Sequence, residues 1–301
     1  MIISWLFIII LAYLFFSLSY LGDKLILSGP PKPNSYTFYV GVISLFTLVF
    51  IPFIKFSLPD EKVIFWMMAE AIVYVLGLYC MFSALEKFDV SRVMTTIGAT
   101  QPVFIFALTW LFFGPQLLSD KTILAFILLL VGSCLISFEK KSKSGWGYLI
   151  GTLLASVFFS LDYIFSKIVF LHQPFLQGFI WMRIFVFLFT LTFLLSKNNR
   201  KDIFKKQNIL NFKTGLIFIG THLSGGAANI LQGLAIFLSP VAFLPIINSL
   251  RGIQYVFLFL LTLFFSIFFP KILKEEISRQ IIIQKVFSIV LIAVGLSLLV
   301  F

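Results

Sequence analysis

Glu70, Asp162, Arg183, Arg251 and His222 stand inside long apolar stretches of this 301-residue chain. A charged side chain at the centre of a bilayer costs at least ~2.5 kcal/mol, so each is a candidate for binding or moving something. Arg251 suits a carboxylate or phosphate, because its planar fork bonds such groups through two parallel hydrogen bonds. The alternative for Arg251 is an internal ion pair with Glu70 or Asp162 that only ties helices together. Glu70 suits a coupling proton, since burial makes its negative charge costly; a paired structural acid is the other reading. His222 can relay protons or simply hydrogen-bond between helices.

Neutral polar residues accompany these groups at helical spacing. Asn248, Arg251 and Gln254/Tyr255 recur at i, i+3 and i+6/i+7, one polar stripe on an apolar rod. His222, Gly225, Asn229 and Gln232 form a second stripe, and Arg92, Thr96 and Thr100, followed by Gln101-Pro102, a third. Such stripes must face one another or water. They predict a central polar cavity lined by Glu70, Tyr74, Thr96, Thr100, Gln101, Asn229, Gln232, Asn248, Arg251 and Gln254, with Glu70 and His222 carrying protons. Pro102 and Pro245 should free carbonyls of the turn before each.

The elements that must position these groups are membrane helices. Sixty per cent of the residues are hydrophobic and only 12% charged, with 40 Phe, about half the charge a soluble domain carries. Ten apolar segments fall at residues 2–24, 35–55, 62–84, 91–113, 119–138, 146–169, 174–195, 214–236, 241–268 and 282–300. Each is near the ~20 residues a crossing needs. Gly29 to Asn34, Leu58 to Lys62, Glu139 to Gly145 and Lys197 to Lys213 separate them. The runs are continuous rather than alternating, which excludes a β-barrel. Met1 to Tyr20 lacks a basic leader and a small-residue cleavage site, so it reads as the first crossing rather than a signal peptide.

The net charge of +11 resides in short loops, which points to membrane orientation and away from nucleic acid. Of the 23 Lys and Arg, 17 follow odd-numbered crossings, four follow even-numbered ones and two lie within the apolar runs. The imbalance predicts cytoplasmic odd loops and both termini outside a cytoplasmic membrane.

Self-comparison reveals a repeat. Phe15-Phe16-Ser17-Leu18-Ser19-Tyr20 matches Phe158-Phe159-Ser160-Leu161-Asp162-Tyr163 at an offset of 143, and Lys24 matches Lys167. Gln101, Val103, Phe104, Phe106, Leu108, Thr109 and Phe112 recur at an offset of 153 as Gln254, Val256, Phe257, Phe259, Leu261, Thr262 and Phe265. Two halves, about 1–141 and 145–301, would each hold five crossings. Five is odd, so the second half would enter the membrane inverted, as in many secondary transporters. Tyr20/Lys24 and Tyr163/Lys167 read as paired interfacial anchors with snorkelling lysines. Gly147, Gly151 and Ala155 form a small-residue stripe for close packing.

Ala99-Thr100-Gln101-Pro102-Val103-Phe104, Trp110-Leu111-Phe112-Phe113-Gly114 and Val131-Gly132 resemble the last two helices of an EamA-type repeat of the drug/metabolite transporter superfamily. Pro240 to Phe301 is similar, with Glu275-Glu276 before the last helix and Val294-Gly295 inside it. The sequence departs from that pattern at Pro115, where an acid is usual, and by an insertion before Glu275. The resemblance implies a ten-helix transporter, with Arg183 further from the centre in a structural role. It also implies both termini in the cytoplasm, against the charge count.

No zinc-binding His-Glu-x-x-His, phosphate loop or Gly-x-Ser-x-Gly elbow is present, and the two histidines are far apart. Cys80 and Cys134 read as buried thiols. The expectation is an all-α integral membrane protein with no cofactor, metal or enzymatic role, a monomer or homodimer among membrane lipids. Its function would be secondary transport of a small metabolite, preferably amino-acid export. A sugar-phosphate or nucleotide-sugar exchanger, needing a second cation such as Lys87 or Arg92, is the alternative, as is a lipid-carrier translocator.

Overall fold

The computed structural model describes residues 2–26, 33–88, 90–137, 146–204, 212–268 and 279–300. The linker 139–145 and Glu275-Glu276 lie outside them, as do parts of the separators 29–34 and 197–213 and the side chains of Lys24 and Arg92. Among the described residues every regular element is helical. In order these are α1 (Ile2–Ile26), α2 (Pro33–Ser44), α3 (Glu61–Leu85), α4 (Val90–Phe113), α5 (Asp120–Ser137), α6 (Trp146–His172), α7 (Phe175–Thr190), α8 (Lys197–Ile203), α9 (Phe212–Leu238), α10 (Leu244–Ser249), α11 (Arg251–Phe268) and α12 (Arg279–Val300). Short 3-10 turns extend α2 over Leu45–Phe53 and α7 over Leu191–Leu195, and precede α10 over Val241–Phe243. Eight stretches among the described residues are long and apolar enough to cross a membrane. The chain is a multi-pass, all-α membrane protein.

Two compact units cut across the sequence order. The first comprises Met1–Ser28, Phe113–Lys140 and Leu210–Phe301; the second comprises Gly29–Phe112 and Lys141–Ile209. In the first, α1 lies along α9 and α11, and α5 along α12 and α11. Lipid supplies no hydrophobic drive between helices, so close backbone approach must hold them. A Cβ on Gly132 would meet Ile292 Cγ1 at 2.7 Å, and one on Gly295 would meet Leu129 Cγ at 2.9 Å. Glycines on both helices thus seat a branched residue of the partner. Gly22 faces Thr221, and Gly225 faces Ser19, across α1 and α9.

In the second unit α3 lies along α6 and α7, and α2 along α7, α3 and α8. A Cβ on Gly77 would meet the Phe159 ring at 2.9 Å, and Gly151 and Ala155 of α6 face Ala84 of α3. The small-residue stripe therefore does pack helices. The anchor reading of Tyr163 and Lys167 is corrected, because they are 2% and 3% exposed. α6 continues to His172, so Lys167 lies within the packed part of the helix instead of at its end.

Two further corrections concern prolines and rods. Pro245 sits in the first turn of α10, where a missing N–H disturbs nothing, and it starts a helix rather than kinking one. The segment 241–268 is not a single rod but is interrupted at Leu250 (φ −65°, ψ −6°). α4, by contrast, runs continuously through Pro102. It stops at Gly114, whose φ of +76° is the left-handed conformation that glycine adopts without a Cβ clash.

Candidate functional site

In the second unit Glu70 and Tyr74 occupy one face of α3, one turn apart, and α7 brings Arg183 against them. Glu70 is fully buried, and Arg183 Nη2 donates to its Oε1 in a buried ion pair. The Arg183 guanidinium carbon stands 4.6 Å from the Tyr74 ring centroid and 5.3 Å from that of Phe179. An arginine so placed satisfies charge with the carboxylate and spreads its plane over the ring faces. Ser44 Oγ of α2 donates to the Arg183 carbonyl at 3.2 Å. Asp162 of α6 is the third acidic or basic member, set opposite Glu70 by the flanking ring contacts Tyr74–Phe159 and Trp66–Phe165. Glu70 Oε2, Asp162 Oδ1 and Arg183 Nε are buried without a partner.

The ion pair described for Glu70 is with Arg183. Helical spacing reports which residues share a face, and says nothing of which face meets which across an interface. A signal was present: Phe179 lies one turn before Arg183 on α7, an aromatic platform for a buried cation.

The same unit holds Thr96, Thr100 and Gln101 on α4. The Thr100 hydroxyl donates to the Thr96 carbonyl at 2.7 Å and is paired with Ser156 Oγ of α6 at 2.6 Å. Ser160 Oγ donates to the Gln101 carbonyl at 3.2 Å, and Gln101 is 1% exposed.

The first unit gathers its polar groups at the interruption between α10 and α11. Tyr13 of α1 donates to the Ile247 carbonyl at 2.7 Å, and Ser17 to that of Gln254 at 2.9 Å. Ser133 of α5 donates to the Ser249 carbonyl at 2.7 Å, and Ser249 Oγ to that of Ile246 at 2.8 Å. These backbone acceptors are served by side chains, yet the side-chain amides beside them are not. Asn248 is fully buried with neither Nδ2 nor Oδ1 bonded, and Gln254 is 2% exposed with Nε2 unbonded. A buried amide left unpaired costs about 1–3 kcal/mol per group. Arg251 opens α11 half-buried, and Asn229, Gln232 and His222 are half-buried on α9. Asn229 Nδ2 donates back to the Gly225 carbonyl at 2.9 Å. Tyr13 and Ser133 escaped the sequence reading, since a hydroxyl inside an apolar helix gives no spacing signal.

The two units share one contact at repeat-related positions. Ser17 matches Ser160 at the offset of 143, and Gln254 matches Gln101 at 153; in each unit the serine hydroxyl is shared between the i−4 carbonyl of its own helix and the glutamine's carbonyl. Cys80 and Cys134 are free and half-buried. Lys87 is exposed on the turn after α3.

Comparison with known proteins is consistent with this architecture. A solved protein described only as a crystal structure of a protein superposes with a TM-score of 0.66 at 15% identity, over 97% of this chain and 96% of that one. That likeness speaks to fold alone. No curated protein matches the chain. The EamA-like transporter family matches residues 3–138. That stretch, just under half of the chain, is similar to a family that lies within the drug/metabolite transporter superfamily.

Proposed function

We propose that this transporter moves a small organic metabolite, an amino acid or similar zwitterion, outward by alternating access. In this reading ten crossings form two inverted halves, 1–141 and 145–301, in a cytoplasmic membrane with both termini outside. The observation that carries it is the unbonded amide of Asn248 and the unbonded Nε2 of Gln254, both buried at the α10–α11 interruption. Donors and acceptors held in place without partners suit a ligand that brings both, as an ammonium-carboxylate compound does. Arg251, three residues from each amide, would supply the cation for its carboxylate. Asn229 and Gln232 complete the proposed substrate set within the first unit; within the second, Glu70, Tyr74, Thr96, Thr100 and Gln101 are proposed to contact substrate, and His222 and Glu70 are the proposed proton carriers. The shared serine-to-glutamine contact supports the two-half reading. The exposure of Lys87 offers no support for a phosphate-carrying substrate.

Thermal unfolding in detergent, against amino acids, sugar phosphates, nucleotide sugars and cationic drugs, tests this proposal. A compound at 100 times its Kd should add roughly 2.7 kcal/mol to the folded state. An amino-acid shift that disappears in Arg251→Gln supports the reading. A shift with sugar phosphates alone, or with none of the panel, counts against it. Reporter fusions after Phe301 and within 197–213 test the orientation, and a cytoplasmic C-terminus refutes it.

A further inference from the structure

We propose that Glu70 and Asp162 bind one proton between them, forming a buried proton site in the second unit. Its role as the coupling ion rests on the transport reading above, whereas the proton itself does not. Glu70 of α3 spends one carboxylate oxygen on Arg183 and leaves Oε2 without a donor, at zero exposure. Asp162 of α6 stands between Phe159, which meets Tyr74 of α3, and Phe165, which meets Trp66, so the packing of the two helices sets it opposite Glu70; its buried Oδ1 is likewise without a donor. Two carboxylate oxygens cannot hydrogen-bond each other, because both only accept. One proton turns one of them into a donor and removes both deficits.

The charge count agrees. Glu70 and Asp162 bring two negative charges and Arg183 one positive, so the cluster without a proton is a net anion inside the membrane. Tyr74 on α3 and Phe179 on α7 cover the guanidinium, and neither is a charge that balances it. α2 and the 3-10 turn over Leu45–Phe53 carry no Asp, Glu, His, Lys or Arg. Lys167, on α6, is five residues from Asp162 and so lies off its face. Proton uptake forms one O–H bond on a carboxyl oxygen and neutralises the cluster, and release restores the net negative charge. A metal ion fits less well, since hard cations require more oxygens than two and would sit beside a fixed guanidinium.

Such adjacent acids hold their protons as a pair rather than one by one. Infrared difference spectra of the purified full-length chain, between neutral and alkaline buffer, read the proton directly. The wild type should show the carbonyl band of a protonated carboxylic acid at neutral pH, bleached in alkali and shifted in heavy water. Glu70→Gln and Asp162→Asn should each remove it, while Glu61→Gln at the exposed start of α3 keeps it. Asp162→Asn retains shape and offers its amide to Glu70, so it should elute as folded protein. Absence of the band from wild type overturns the proposal, whether or not any variant folds. Persistence of the band in folded Asp162→Asn overturns it too. The measurement uses no substrate, so a failed ligand panel and a failed proton site remain separate outcomes.

Discussion

The two units bury polar groups in opposite ways. The second encloses formal charges: Glu70 against Arg183, with Asp162 beside them and aromatic rings over the cation. The first encloses neutral amides at an interrupted helix, with its backbone carbonyls answered by Tyr13, Ser17, Ser133 and Ser249 while Asn248 and Gln254 wait. Both contain the serine-to-glutamine contact, so the difference arises around it. Pro102 follows Gln101 in a continuous α4, whereas the segment holding Gln254 breaks at Leu250. A similar frame has been given charge chemistry in one place and hydrogen-bond vacancies in the other. The former suits an ion and the latter a polar solute.

The largest test of that contrast is Arg183→Leu. Removing one partner strands a buried carboxylate, and should cost about 3–5 kcal/mol in detergent unfolding. Adding Glu70→Leu should recover most of the loss, and a double variant as unstable as the single would show that packing, not charge, holds this region. Asn248→Leu should do the reverse. With no ligand it removes an unpaired amide and should stabilise the empty protein by about 1–3 kcal/mol, while losing any ligand-induced shift. Destabilisation instead would mean that Asn248 is satisfied internally and that the contrast is false. Gly252→Ala probes the wall of the interruption, since its Cβ would strike Ser133 Oγ and approach Ser133 Cα at 3.2 Å. A loss of about 1–3 kcal/mol is expected from overpacking, and Ser133→Ala should relieve part of it. The smallest effect sharpens the likeness rather than the difference. Ser17→Ala and Ser160→Ala should each cost about 0.6 kcal/mol, as interhelical hydrogen bonds in membranes do. Losses that differ several-fold would mean the two serines are not equivalent.

Much of the architecture was legible because lipid imposes a coarse rule. Runs such as Glu61–Leu85 and Ile282–Val300 have to be helices of crossing length, and composition alone states that. The small-residue stripe at Gly151 and Ala155 was legible for the same reason, as only such residues admit a helix so close. Lys167 was misread because its exposure depends on where α6 ends, which periodicity places only to within a turn. The break at Leu250 was invisible, since Leu250 is apolar and Pro245 points to the wrong position. The cost of a charge in lipid pointed to Glu70 and a polar stripe to Asn248, both of which are buried, but Arg183 was set aside.

By itself the sequence determined the medium, the helical class and the set of residues too polar to face lipid. These follow from composition and period, which are local properties. The tertiary structure decided that Glu70 meets Arg183 and Asp162, that Ser17 and Tyr13 attend a broken helix, and that Asn248 is enclosed with nothing to bond. Each is a contact between helices distant in sequence, and the facing of two rods is fixed by side-chain packing across their interface.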